Sequence, residues 1–350
     1  MVFIRKKAAK TENKTSRAIA ETLIRKTLKD IKRSPERSIR NIVDLASEVS
    51  CGRFQNEFFN AAQTMLKNEH GSYYALIEDV AENFEHESLL CFGLNVGYNS
   101  CTFGAKKIRE LEKKGSFNIP WSVSLKICPE TFQNLSKKYD TVIKQGEKIG
   151  IYTWLLFEES CFEDILSLAE SHPESAFAFF CDPAKITASF AEKAAVLKNV
   201  TPVIKFGEDT ETVTEYFRRH KFLYSVYYGY SDDDLDFVES GKYFSETSKL
   251  HSPFSVLLAK EGCSEQTKTT IHEYCINARN NQLFPTIPWE AELDGKFVDE
   301  IISGDSCSAF FDENGCLFSE KGKQFNLFEN DLKSIFKIAF PKEKNGGMNE

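Results

Sequence analysis

The sequence has little with which to hold a metal. Its six histidines never stand in H-x-x-x-H or another common ligand spacing. Its ten cysteines are scattered over 350 residues and never form C-x-x-C. That spacing excludes a zinc ribbon, and the scatter argues against a disulfide framework. No stretch reaches the roughly 18 apolar residues that a membrane helix needs. The opening MVFIRKKAAKTENK lacks the apolar run of a secretion signal. A cytoplasmic protein with reduced thiols, away from the membrane, is expected. Gly93, Gly97 and Gly104 are spaced too widely for G-x-G-x-x-G, and no Walker A sequence occurs. Those absences argue against a dinucleotide fingerprint and an NTPase.

Apolar residues make up 41% of the chain, enough for a large core. Phenylalanine is abundant at 30 residues, with 12 tyrosines. Such a supply suits an aromatic core or a greasy substrate groove. Residues 1–40 carry 13 Lys and Arg against 4 Asp and Glu, a net of +9, so the rest must hold about −17 of the total −8. The basic arm has few aromatics and no nucleic-acid motif, so nucleic acid is a disfavoured partner. The protein's own acidic body, or an acidic peptide, fits it better.

Periodicity predicts a helical N-terminal unit over 1–88. Ile19, Leu23, Leu28 and Ile31 recur at helical spacing. Ser34 before Pro35 reads as a helix start. Further stripes run through 54–66 and 73–84. From Leu89 the style changes. Apolar runs at 89–97, 119–127, 149–157, 175–181, 200–206, 222–230 and 254–259 alternate with amphipathic segments, and 283–289 is a weaker eighth. Near-continuous apolar strands separated by helices predict a parallel sheet. The expected class is α/β: a complete or partial (β/α) barrel over 89–296, with an open doubly wound sheet as the runner-up. The tail, 297–340, carries Asn314-Gly315 between two short strands, a hairpin signal, and then a helix. A disordered end is expected over 341–350.

In such barrels the sites lie where strands end. That rule selects Asn95, Tyr98 and Asn99 after the first run as ligand-binding residues, with Asp182 and Lys260. It selects Lys126, Glu158, Glu159, Lys205, Tyr228 and Tyr230 for catalysis. Adjacent residues at a strand end point to opposite sides, so one of Glu158 and Glu159 should face the barrel mouth. Beside Lys126 or Lys205 its pKa would fall, giving an anion clamp or an acid/base couple. Each of these residues, taken singly, equally suits a helix cap or a surface salt bridge. No metal ligands are assigned.

The alternation from Leu89 to Trp289, followed by Cys307, Asp312-Glu313-Asn314-Gly315 and Cys316, resembles the radical S-adenosylmethionine enzymes. The tail is similar to the cysteine-bearing extension of their peptide-modifying members. The family's C-x-x-x-C-x-x-C is absent: the loop after the first apolar run holds Asn95, Gly97, Tyr98, Asn99, Ser100 and a lone Cys101. The methionine-binding glycines after the second run are replaced by Lys126, Ile127, Cys128 and Pro129. The resemblance therefore implies a degenerate barrel. No cofactor is expected, with S-adenosylmethionine or an iron-sulfur cluster as the disfavoured alternative. The first functional expectation is a non-catalytic scaffold or regulatory module that binds a peptide or protein. The second is a barrel enzyme acting on a small anionic metabolite or a peptide through the Glu, Lys and Tyr residues at the strand ends.

Overall fold

Helix α1 (Val2–Asp30) is followed by α2 (Pro35–Glu48), whose first residue is the proline expected there. Helices α3 (Arg53–Met65) and α4 (Ser72–Asn83) complete the N-terminal set. The computed structural model describes residues 2–31, 33–48, 53–68, 70–158, 160–318 and 324–342. Ile31, Ile39, Leu66, Tyr74 and Ala81 share a small buried cluster between these helices. The Tyr74 hydroxyl donates to Leu66 O at 2.8 Å and accepts from Arg40 Nε at 3.0 Å, so its polar end is satisfied. Asp79 on α4 holds Arg218 with two bonds of 2.5 and 2.9 Å, which ties the helices to the rest of the chain.

The first apolar run is not a strand. Helix α5 (His86–Phe92) continues through a π-helical segment, Gly93–Gly104, into α6 (Ala105–Gly115). A short continuous apolar run fits a buried helix as well as a buried strand. Here one side of the helix is buried through Leu90, Leu94, Cys101, Ala105 and Ile108. Gly97 has no positive φ and sits inside the helix rather than in a turn.

The sheet begins one run later. Strands β1 (Ser122–Lys126), β2 (Thr153–Phe157), β3 (Ala176–Cys181), β4 (Val200–Lys205), β5 (Ser225–Tyr230), β6 (Phe254–Ala259) and β7 (Ile287–Glu290) are all parallel and lie in sequence order. A doubly wound sheet reverses its strand order; this one does not, so the runner-up is excluded. Helices α7 (Pro129–Ile149), α8 (Leu166–Ser171), α9 (Ala188–Val196), α10 (Thr210–Arg219), α11 (Leu235–Glu239), α12 (Lys242–Lys249) and α13 (Glu265–Asn280) make the connections. After α14 (Ala291–Ser303), β8 (Phe310–Phe311) returns to pair in parallel with β1. Antiparallel β9 (Cys316–Phe318) and β10 (Gln324–Asn326) extend that edge. The hairpin turns at Gly315, φ +76°, as the Asn-Gly signal predicts. Among the described residues no pairing joins β7 to the other edge, so the complete barrel is not formed. The helix expected at the end of the tail is α15 (Leu332–Ala339). Of the end expected to be disordered over 341–350, Pro341 and Lys342 lie against Phe117 and Ser116, and 343–350 lie outside the described residues.

The two faces of the sheet differ. One buries Val123, Leu125, Trp154, Leu156, Phe177 and Phe179 against α7, α9 and α15. The same face continues through Ile204 against α10 and through Tyr230 and Leu257 against α12 and α13. The opposite, inner face carries Leu155, Phe157, Ala178, Phe180, Val203, Tyr227 and Val256. The α5–α6 helix crosses this inner face at the starts of the strands. Its Ser100 hydroxyl meets Thr153 Oγ1 at 2.8 Å, and its Phe92 ring lies 6.2 Å from Phe254.

Candidate binding face at the strand ends

In a parallel ladder, residues in register share a face. Lys126, Phe157, Phe180, Val203 and Ser225 therefore form one row across β1–β5 on the inner face. Lys205, Tyr227, Val256 and Trp289 form the next row across β4–β7. The rings make a continuous ladder. Phe157 and Phe180 stack at 4.3 Å and 19°, and Tyr227 meets Phe180 edge-on at 5.2 Å. Phe310 of β8 flanks Phe157 at 5.6 Å and is 48% exposed. Phe157, Tyr227 and Trp289 are each half-buried, while Phe180, Val203 and Val256 beside them are buried. The end of the face at the strand starts is closed by the α5–α6 helix.

Two lysines stand on this surface. Lys126 Nζ pairs with Glu313 of the hairpin turn at 3.2 Å. Lys205 is exposed and has no ion-pair partner among the described residues. The strand residues of the inner face include no carboxylate.

The remaining expected site residues lie elsewhere. Glu158 is one position past Phe157 and turns to the helix-covered side, where it is 1% exposed. Its Oε1 accepts from the Ser160 amide at 2.6 Å and hydroxyl at 2.7 Å, while Oε2 has no partner. Burial pushes its pKa up, against the opposing pull of Ser160 and the next two amides. The expected couple with a lysine, and the lowered pKa, are thus not found at Glu158. Glu159 lies outside the described residues. Tyr228 donates to Asp234 Oδ1 at 2.6 Å; burial, then that carboxylate, pushes its pKa up to about 12. Lys260 covers the Tyr228 ring at 5.7 Å and reaches Asp234 at 3.4 Å. Tyr230 is fully buried and donates to Glu290 Oε1 at 2.9 Å. Asp182 accepts from the Ala184 amide at 3.0 Å and caps the short turn after β3. Asn95 and Asn99 are buried at the far end of the sheet. They donate to the carbonyls of Pro173, Glu174 and Ser175, just before β3. Tyr98 lies half-buried on the same π-helical segment.

Of the expected residues that are described, only Lys126 and Lys205 share the inner face. Tyr228 and Lys260 form a separate cluster on the helix side. Phe157, Phe180, Tyr227 and Phe310 were missed. Each lies on a different strand from the two lysines, so only the cross-strand register, which the sequence does not carry, places them on the same face.

The raised Glu158 pKa has a stability consequence. The folded state holds that proton more tightly than the unfolded chain. The glutamate's contribution is then fully present below its usual value of 4.5 and is lost as pH rises through the folded value. Glu158→Gln removes this loss. Urea midpoints should shift in the variant's favour between about pH 4 and about pH 7. A variant equally penalised at both pH values would refute the assignment.

No protein-family model matches the chain. No curated protein matches it either. Solved structures do. Streptococcus suis SuiB bound to S-adenosylmethionine matches with a TM-score of 0.50 at 11% identity, covering 66% of this chain and 67% of SuiB. SuiB bound to the precursor peptide SuiA gives 0.50 at 12%, covering 66% and 68%. At such identity the likeness shows the fold alone, a distant structural similarity in keeping with the resemblance read from the sequence. No helix among the described residues is long and apolar enough to cross a membrane.

The resemblance also brings up an iron-sulfur cluster, and the residues do not fit one. With β1 now at Ser122–Lys126, the loop that follows is Ile127-Cys128, and α7 starts at once with Pro129. Its single thiol lies 3.0 Å from the Thr131 hydroxyl. A [4Fe–4S] cluster needs several thiolates in one place. Among the described residues no group of three or more His, Cys, Asp or Glu is arranged to hold a metal ion, and the nine described cysteines are free.

Proposed function

We propose that this chain is a barrel-type enzyme that acts on a peptide, which it holds extended along the inner face at the strand ends. The observation that carries this reading is the aromatic ladder Phe310–Phe157–Phe180–Tyr227, exposed at Phe310, half-buried at Phe157 and Tyr227 and buried at Phe180, beside Lys126 and Lys205. Stacked or edge-on rings give large contact area at low entropic cost and bind side chains of an extended chain. The likeness to a SuiB structure that contains the precursor peptide SuiA favours a peptide over a small metabolite and the enzyme over a passive scaffold. Lys126 and Lys205 are the groups placed to touch the peptide. Tyr228, Tyr230 and Glu158 act from behind, by fixing the strand ends. No step is routed through a cluster. A cytoplasmic setting, a helical unit over 1–88, a barrel-like unit over 89–296 and an extension over 297–340 belong to the same proposal, with the α5–α6 helix spanning the first boundary.

One observation favours the scaffold as a second reading. The inner face offers no carboxylate from its own strands to serve as a base. A pool of random ten-residue peptides passed over the immobilised full chain tests the shared premise. Wild type should retain a distinct set, identified by mass spectrometry. Phe310→Glu, at a half-exposed site that tolerates change, should reduce retention about tenfold. Retention of no set by wild type, or equal retention by the variant, would sink both readings.

A further inference from the structure

We infer that the peptide bound on the inner face carries an acidic residue next to an aromatic one. The carboxylate is held by Lys205 and the ring lies against the half-buried Tyr227 and Phe157, which flank the buried Phe180. The inference rests on the peptide reading above and narrows it.

Two lysines at the strand ends are already paired. Lys126 is paired with Glu313 and Lys260 with Asp234. Lys205 ends β4, is exposed, and has no ion-pair partner among the described residues. It stands in register with Tyr227, whose ring leans on Phe180, so charge and aromatic surface are neighbours. A carboxylate docked there would lie against rings on one side, where water is excluded and its attraction to the ammonium is stronger than in bulk. The strand residues of the face hold no acidic group that could compete for Lys205, and none that a basic peptide could use. The chain as a whole is net −8. Long-range steering therefore works against an acidic ligand, and local capture must supply the selectivity.

The test uses the full chain and two fluorescein-labelled peptides in a Gly-Ser background. One carries Phe flanked by two Glu, the other Phe flanked by two Lys. Anisotropy should show the Glu probe binding wild type about tenfold more tightly than the Lys probe. Lys205→Glu should cancel or invert that preference, and Lys205→Met should weaken the Glu probe alone. Because Lys205 is exposed, both variants fold. Phenylacetate at a concentration equal to the probe should not displace it. Equal binding of the two probes to wild type overturns the inference but leaves the peptide reading standing. So does an unchanged preference in Lys205→Glu. Displacement by phenylacetate would make a small aromatic acid the occupant and overturn it too. Absence of binding by either probe takes the peptide reading down with it.

Discussion

Arg279→Met is expected to destabilise the fold by about 3–5 kcal/mol. Arg279 on α13 makes two bonds to Asp294 of α14, at 2.7 and 2.6 Å. Its Nη1 also donates to Pro288 O at 2.6 Å, and its guanidinium covers the Trp289 ring at 5.7 Å. Asp294 is 1% exposed. Burial alone would raise its pKa, yet the bonds from His272 and Arg279 outweigh burial and hold it below the usual range. Without the guanidinium that carboxylate is left deep in the protein with only His272 at 3.0 Å and the Glu290 amide at 2.8 Å. An unpaired buried charge costs more than the pair it came from is worth. Adding Asp294→Asn should therefore recover a large share of the loss. Urea unfolding of wild type, the single variant and the double variant decides the matter. Strict additivity, or a single-variant loss below about 1 kcal/mol, would show that the pair is not buried in the folded protein. The same residues seat β7, so a milder substitution, Arg279→Lys, should weaken peptide retention by moving Trp289 before it threatens the fold.

The strand-helix alternation could be read because parallel strands buried on the helix side are short apolar runs, and seven of the eight expected runs contain strands. The weak eighth, around Ile287-Pro288-Trp289, is the edge strand β7, where proline costs no ladder bond on the open side. The run at 89–97 could not be told from a strand, because its burial comes from a tertiary contact. Asn95 and Asn99 look like loop residues in the sequence. In the fold they sit on a helix and satisfy three carbonyls of the turn before β3. Polar residues buried for this purpose leave no periodic trace. The site was half legible for the same reason. Strand ends were located, but which of two neighbours faces inward depends on register. Lys126 and Lys205 fell on the inner face, while Glu158, Tyr228 and Tyr230 fell on the other.

Gly104→Ala should destabilise by about 3 kcal/mol or more, while Gly97→Ala, seven residues earlier on the same helix, should stabilise by about 0.5–1 kcal/mol. A Cβ on Gly104 would lie 2.2 Å from Gly150 O and 2.7 Å from Asn99 O. Both are backbone atoms, so neither can step aside as a side chain would. Gly150 is itself fixed, with φ +110° at the end of α7, where only glycine rests without strain. The two glycines let the helix press directly on the turn that feeds β2. That approach places Ser100 at Thr153 and the two asparagines at the turn before β3. Forcing the backbones apart strains all of these at once. At Gly97 a Cβ meets nothing within 4 Å, and the backbone is already helical. There the substitution only removes freedom from the unfolded chain. Thermal or urea unfolding of the two variants side by side should give opposite signs. Equal signs would mean that the α5–α6 helix does not close the inner face in solution. A face open at both ends would give a peptide no floor to register against.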